Sequence, residues 1–198
     1  MKHYELQLLN DYKIDKVIDC KNARTAFLFS LISFIISILF IVIGLVISLT
    51  INNGQKEYFD GIYALLTLVF LGAYIITIVA HELIHGLFYK IYTKQKLTFG
   101  ITLGAAYCGV PNIYLRRKAM IITCIAPCII ISTVYLILMV IFIKSILFIL
   151  FVVLFSMHFG GCIGDLYDFL LLMFKYKNKD ILINDTGTKQ TIYMKKPL

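Results

Sequence analysis

Thr77-Ile-Val-Ala-His-Glu-Leu-Ile-His-Gly-Leu-Phe88 carries three titratable side chains, His81, Glu82 and His85, inside an apolar run that extends from Gly61 to Tyr89. Such a run spells a helix able to cross a hydrocarbon core, which needs about 20 apolar residues. Ionisable groups inside a span are costly and are kept where they have a use. On a helix, His81 and His85 fall one turn apart on the same face. At that spacing two imidazoles can share a zinc ion, with the Glu82 carboxylate alongside to handle protons.

The same apolar character recurs at Ala26–Thr50, Ala119–Ile143 and Ser145–Phe174. Of the 198 residues 60% are apolar and 15% charged, and the mean hydropathy is +0.87. A soluble domain would not expose so much apolar surface. The expected fold is therefore an all-α integral membrane protein with four transmembrane helices and a short β-like hairpin in the cytoplasmic central loop. Residues 1–25 read as a cytoplasmic N-terminal segment, 26–174 as the four-span membrane domain and 175–198 as a cytoplasmic tail. The first span is too long for a signal peptide and no small-residue cleavage site ends it.

Basic residues set the orientation. All but Lys56 and Lys144 of the 19 Lys and Arg fall in the N-terminal segment, the central loop or the tail. Both termini and the central loop are expected to be cytoplasmic, with the formal charge of +8 spread near anionic headgroups. Nucleic acid is excluded as a partner, because no compact soluble domain exists to present a basic groove. Membrane lipid and a membrane-protein or peptide substrate are the expected partners, and a homo-oligomer stays open.

Catalytic zinc sites take three protein ligands. The third is sought in the last run, Met157-His-Phe-Gly-Gly-Cys-Ile-Gly-Asp-Leu-Tyr-Asp168. Asp165 and Asp168 share a helix face. Counted at ~1.5 Å per residue from Lys175, both lie within a turn of the histidine pair in depth. The same count puts His158 roughly 25 Å from Lys175, near the opposite surface, which makes it a poor ligand candidate. Gly160, Gly161 and Gly164 suit close approach of this span to its neighbours.

In the central loop, Leu97, Phe99, Ile101 and Leu103 alternate with Thr98, Gly100, Thr102 and Gly104. This period of two predicts a strand or hairpin, which either offers an edge to an extended substrate or closes the mouth of the site. In the tail, Ile181-Leu-Ile183 and Thr191-Ile-Tyr193 flank Asn184-Asp-Thr-Gly187, the pattern of a second hairpin. The five cysteines form no CxxC pair and are expected as free thiols. Cys124 and Cys128, a turn apart around Pro127, read as small buried side chains.

Several of these residues together resemble a bacterial family of zincin-type membrane peptidases, described mainly as a domain of unknown function. They are His81-Glu-Leu-Ile-His-Gly86, Lys96-Leu-Thr-Phe-Gly100, Ala126-Pro127, Gly164-Asp165 and a polar tail with Tyr193 near its end. The similarity runs from about Gly61 to Tyr193. The order of elements also resembles the site-2-type intramembrane metalloproteases, in which HExxH on one helix meets an Asp on a later one. That likeness implies a multi-pass protein of the bacterial cell membrane, with Zn²⁺ held by His81, His85 and Asp165 and with Asp168 in reserve. The chain departs from the site-2 pattern in having Asp165-Leu166 where Asp-Gly is typical.

The expected activity is hydrolysis of a peptide bond in or near a membrane segment, with Glu82 as the catalytic base. A metal transporter is the weaker alternative, because the ligands form a single cluster with no ladder across the membrane. A non-catalytic zinc-containing adaptor is the other, and the intact Glu82 argues against it.

Overall fold

Each apolar run is helical in the computed structural model, which describes residues 3–51, 62–102 and 106–196. Lys56, Gly61, Leu103 and Gly104 lie outside the described residues. Helix α1 covers Ala23–Ile51, α2 Ile62–Thr93 and α3 Arg117–Ile141. These three are long and apolar enough to cross a membrane. The fourth run is not one straight helix. It breaks into α4 (Leu147–Gly161) and α5 (Ile163–Leu170), bent by 46° at Cys162, and ends in a π-helical turn, Leu171–Lys175. Counted as one broken span, the pair brings the number to four. Gly160 and Gly161 immediately before the break weaken helix propensity there.

Close approach between α1 and α4 relies on small residues. Ser37 Oγ donates to the Ser156 carbonyl at 3.0 Å, and a Cβ on Gly160 would lie 2.8 Å from the Ser33 carbonyl oxygen. Of the three glycines expected to serve close approach, Gly160 does so. Gly161 has nothing within 4 Å of a built Cβ, and Gly164 meets only the Phe29 ring, at 4.0 Å. Further along the bundle, Ile131, Tyr135, Leu154 and Phe155 form a core with Phe40, Phe70 and Tyr74 packed against it.

The all-α expectation does not hold, because six antiparallel strands among the described residues cap one end of the bundle. They are β1 (Tyr4–Glu5), β2 (Tyr12–Asp19), β3 (Thr98–Ile101), β4 (Ala106–Arg116), β5 (Ile181–Asp185) and β6 (Lys189–Lys195). Their order is β1-β4-β5-β6-β2, with β3 beside the first half of β4. Both hairpins read from the sequence are present, β3–β4 and β5–β6, but they belong to one sheet. The N-terminal segment also joins it, through β1 and β2. An apolar face of Val110, Ile113, Leu115, Ile181, Ile183 and Ile192 packs onto Tyr89, Met120, Leu172 and Tyr176 from the helix ends.

Two polar devices hold this cap together. Pro111 has no N–H for the ladder, and the β4–β5 register shifts between Val110 and Leu115. Asn184 Nδ2 fills the gap by donating to the carbonyls of Pro111 and Ile113 at 2.7 and 2.9 Å. At the far edge, the Tyr176 hydroxyl donates to Asp15 of β2, which lowers that carboxyl from its ordinary value.

The two neighbouring glycines give a direct test of the α1–α4 contact. Gly160→Val should destabilise the detergent-solubilised protein by about 1–3 kcal/mol, the usual range for overpacking. Gly161→Ala should leave the thermal midpoint nearly unchanged. Equal effects from the two would show that the close approach is not a constraint.

Candidate metal centre

Helix α2 presents His81 and His85 toward the interior of the bundle, one turn apart as their spacing requires. Their Nε2 atoms lie 3.1 Å from each other. Asp165, in the first turn of α5, meets both: its Oδ2 is 3.1 Å from His81 Nε2 and its Oδ1 is 3.3 Å from His85 Nε2. Three potential ligand atoms from two helices therefore converge on one point. Glu82, next to His81 on α2, lines the cavity onto which this cluster opens.

The orientation of His85 follows from a proline on another helix. A helical carbonyl at position i bonds the N–H of i+4, and for Thr123 that residue is Pro127, which has no N–H. The Thr123 carbonyl is left without its helical partner, and His85 Nδ1 lies 2.9 Å from it. A carbonyl only accepts, so Nδ1 carries the proton and donates it. The lone pair of His85 is thereby fixed on Nε2, facing His81 and Asp165. Hydrogen bonds of this kind set the tautomer and direction of metal-binding histidines.

His81 is approached from both sides. Its Nε2 faces Asp165, while its Nδ1 lies 3.4 Å from His158 Nε2 and 4.0 Å from Cys162 Sγ. His158 therefore sits against the cluster and not near the opposite surface. Counting residues along one straight helix misses this, because the run is bent by 46° between α4 and α5. The bend lets α4 place His158 and Cys162 on one side of the His81 ring while α5 places Asp165 on the other. His158, Cys162 and Asp165 follow an i, i+4, i+7 spacing, which was the available signal that all three share a face. With the His81 proton on Nδ1, His158 Nε2 accepts it. The His158 proton then sits on Nδ1, a buried atom with no hydrogen-bond partner among the described residues. Histidines 81 and 158 with Cys162 also form a second group of ligand-type atoms within 4.8 Å of one another.

Asp168 is not among the converging atoms. It lines the same cavity, of about 670 Å³, together with Asp185, Gly187 and Gln190 from the tail hairpin and Tyr107 and Cys108 from β4. The Asp-Thr-Gly stretch does form a turn, with the Gly187 N–H donating to Asp185 Oδ1 at 2.7 Å and Gly187 at φ +90°. It is also an anchor, because Tyr89 of α2 donates its hydroxyl to Asp185 Oδ2 at 2.5 Å. Burial pushes the Asp185 carboxyl above its ordinary value, against the pull of those two donors.

The donor set suits zinc. A tetrahedral ion ~2.0–2.1 Å from two imidazole nitrogens and a carboxylate oxygen holds its ligands roughly 3.3 Å apart, and the observed separations are 3.1–3.3 Å. The His85 tautomer leaves the required nitrogen free, and three ligands leave one position for a water or substrate. An HExxH helix whose histidines meet a carboxylate from another helix is the arrangement of a zincin-type centre. The chain belongs to the family described as "Putative zincin peptidase", whose model matches residues 74–180, more than half of its length. The match supports a hydrolase and, through the zincin name, zinc. It takes in α2 from Tyr74 through α5, and so every residue of the cluster, while α1, β1, β2, β5 and β6 lie outside it. No curated protein and no solved structure matches the chain.

Two substitutions away from the converging atoms should weaken zinc binding. Removing a histidine's outer hydrogen-bond partner typically costs 10–100-fold in metal affinity. His158→Leu should fall about in that range, measured by competition with a chelator, and His158→Gln, which keeps an acceptor, should recover part of it. Pro127→Ala gives the Thr123 carbonyl a competing helical donor and should cost affinity by up to about tenfold, the low end of that range. Unchanged affinity in both His158→Leu and Pro127→Ala would show that the histidine orientations are not set in this way.

Proposed function

We propose that the protein is a membrane-embedded zinc peptidase that hydrolyses a peptide bond in or near a membrane segment. The observation that carries this reading is the convergence of His81 Nε2, His85 Nε2 and Asp165 beside Glu82 on one cavity. Its support for a membrane setting is twofold. The outward sides of the helices are apolar, with Phe34, Ile75, Ile76 and Val140 exposed. The N-terminal segment, the central loop and the tail, which carry most of the basic residues, meet in one sheet at one end of the bundle. That is the distribution expected for a cytoplasmic face.

In this reading His81, His85 and Asp165 hold the ion, with His85 braced by the Thr123 carbonyl and His81 by His158. When bound, zinc supplies the Lewis acidity that activates a water and polarises the scissile carbonyl. Glu82 takes the proton of the attacking water and returns it to the leaving amine. Both hairpins contribute to the cavity wall, and in this reading the substrate enters in extended form, because a helix would shield its peptide bonds.

Glu82→Gln tests the assignment. It should keep stoichiometric zinc and lose cleavage by about 10²–10⁴-fold, the range for removal of a general base. Membrane proteins truncated in cells that express the unaltered chain should accumulate intact on the Glu82→Gln variant, recovered by affinity capture. Undiminished cleavage by Glu82→Gln would overturn the mechanism, and so would full zinc retention by His81→Ala.

A further inference from the structure

On the cavity wall beyond the ligand cluster, two oxygens have no hydrogen-bond partner among the described residues: Asp168 Oδ1 and Gln190 Oε1. Both atoms are buried, and the Gln190 side chain as a whole is only 6% exposed. The two side chains, from α5 and β6, are hydrogen-bonded to each other, and the two oxygens named are what remains unpaired. Both line the cavity that holds His81, Glu82, His85 and Asp165.

Several other polar groups nearby are already engaged. Asp185 has a donor on each oxygen, from Tyr89 and from the Gly187 N–H. Asp165 lies between the histidines. Lys16 of β2, whose charge acts on Asp168, is held by the Tyr167 hydroxyl and makes no ion pair with Asp168 among the described residues. Asp168 takes a hydrogen bond from Gln190, yet its Oδ1 stays without a partner in a buried place, where an unpaired polar atom is costly. Two free acceptors, one of them on a carboxylate, match a ligand that brings several donors and a positive charge.

We propose that Asp168 and Gln190 form a subsite for a cationic side chain, a Lys or Arg of the substrate peptide close to the cleaved bond. Asp168 lies three residues past Asp165 on the same helix, a rise of ~4.5 Å. An extended peptide advances ~3.3 Å per residue. The subsite therefore lies beside the centre, within reach of a side chain near the bond held there. An Arg guanidinium or a Lys ammonium there gives both Asp168 Oδ1 and Gln190 Oε1 a donor and brings a positive charge to the carboxylate. This inference rests on the peptidase reading for its substrate class and specifies which peptides that centre would prefer.

The test is binding, so it does not depend on turnover. The full chain, purified in detergent with zinc, is titrated with acetyl-Leu-Arg-Leu-amide and with acetyl-Leu-norleucine-Leu-amide. The arginine peptide should bind about tenfold or more tightly, the scale of charge-assisted hydrogen bonds in a desolvated site. Asp168→Asn should bring the two affinities within about twofold of each other while zinc content stays unchanged, and Gln190→Leu should reduce the preference in part. Equal binding of the two peptides to the unaltered chain, or a preference that survives Asp168→Asn, overturns the subsite. Zinc loss in Asp168→Asn also overturns it, because Asp168 would then belong to the centre. An active Glu82→Gln enzyme would defeat the peptidase mechanism and leave this binding result standing.

Discussion

A carboxylate and two imidazoles packed within 3.3 Å of one another between apolar helices form the constraint on which the rest of the architecture depends. Polar groups brought into such surroundings have to satisfy one another or be satisfied by a ligand. The neighbouring elements are arranged accordingly. Pro127 frees the Thr123 carbonyl to fix one histidine, and the α4–α5 break brings His158 and Asp165 to opposite sides of the other. Neither device adds much apolar burial. Both set direction, which matters at a metal centre because a ligand lone pair pointing elsewhere contributes nothing.

The cap of strands is the second requirement. A cluster opening at the end of a helix bundle would be flooded by solvent without a cover, and the cover here comes from three separate parts of the chain. The tail hairpin is pinned to α2 through Asp185 and Tyr89, and to β4 through Asn184. Arg117 at the start of α3 donates to the Leu172 carbonyl in the π-helical turn, joining the helix ends below the sheet. The tail hairpin thus has its own fixed links to the helices that supply the cluster.

Legibility in the sequence followed the range of the interactions. The helical runs were plain from apolar length alone, and the histidine spacing from the helical repeat. The central-loop hairpin showed itself through period-two alternation, and the tail hairpin through two short apolar runs around an Asp-Thr-Gly turn. The strand β2 did not, because it is an edge strand with Lys13, Asp15 and Lys16 along it, the composition that keeps an edge from pairing with other chains. Its place in the sheet is set by pairing with a distant strand, β6, where Ile14 meets Tyr193 and Lys16 meets Ile192. His158 was misplaced for a related reason. Its face could be read from the i, i+7 relation to Asp165, but its depth depended on a bend that no local pattern announces beyond a pair of glycines.

Asp168 shows how geometry can separate two residues that sequence spacing leaves equivalent. Both aspartates lie on the same helix, a single turn apart, and both reach the same cavity. The first turn of α5 sets Asp165 between the histidines, whereas Asp168 is carried to where α5 faces β6 and meets Gln190. Asp165 thus joins the convergence of ligand-type atoms, and Asp168 joins the sheet. Because β6 is the strand that brings Gln190, the tail hairpin does more than cover the site. It supplies part of the wall of the cavity onto which the histidines and Asp165 open.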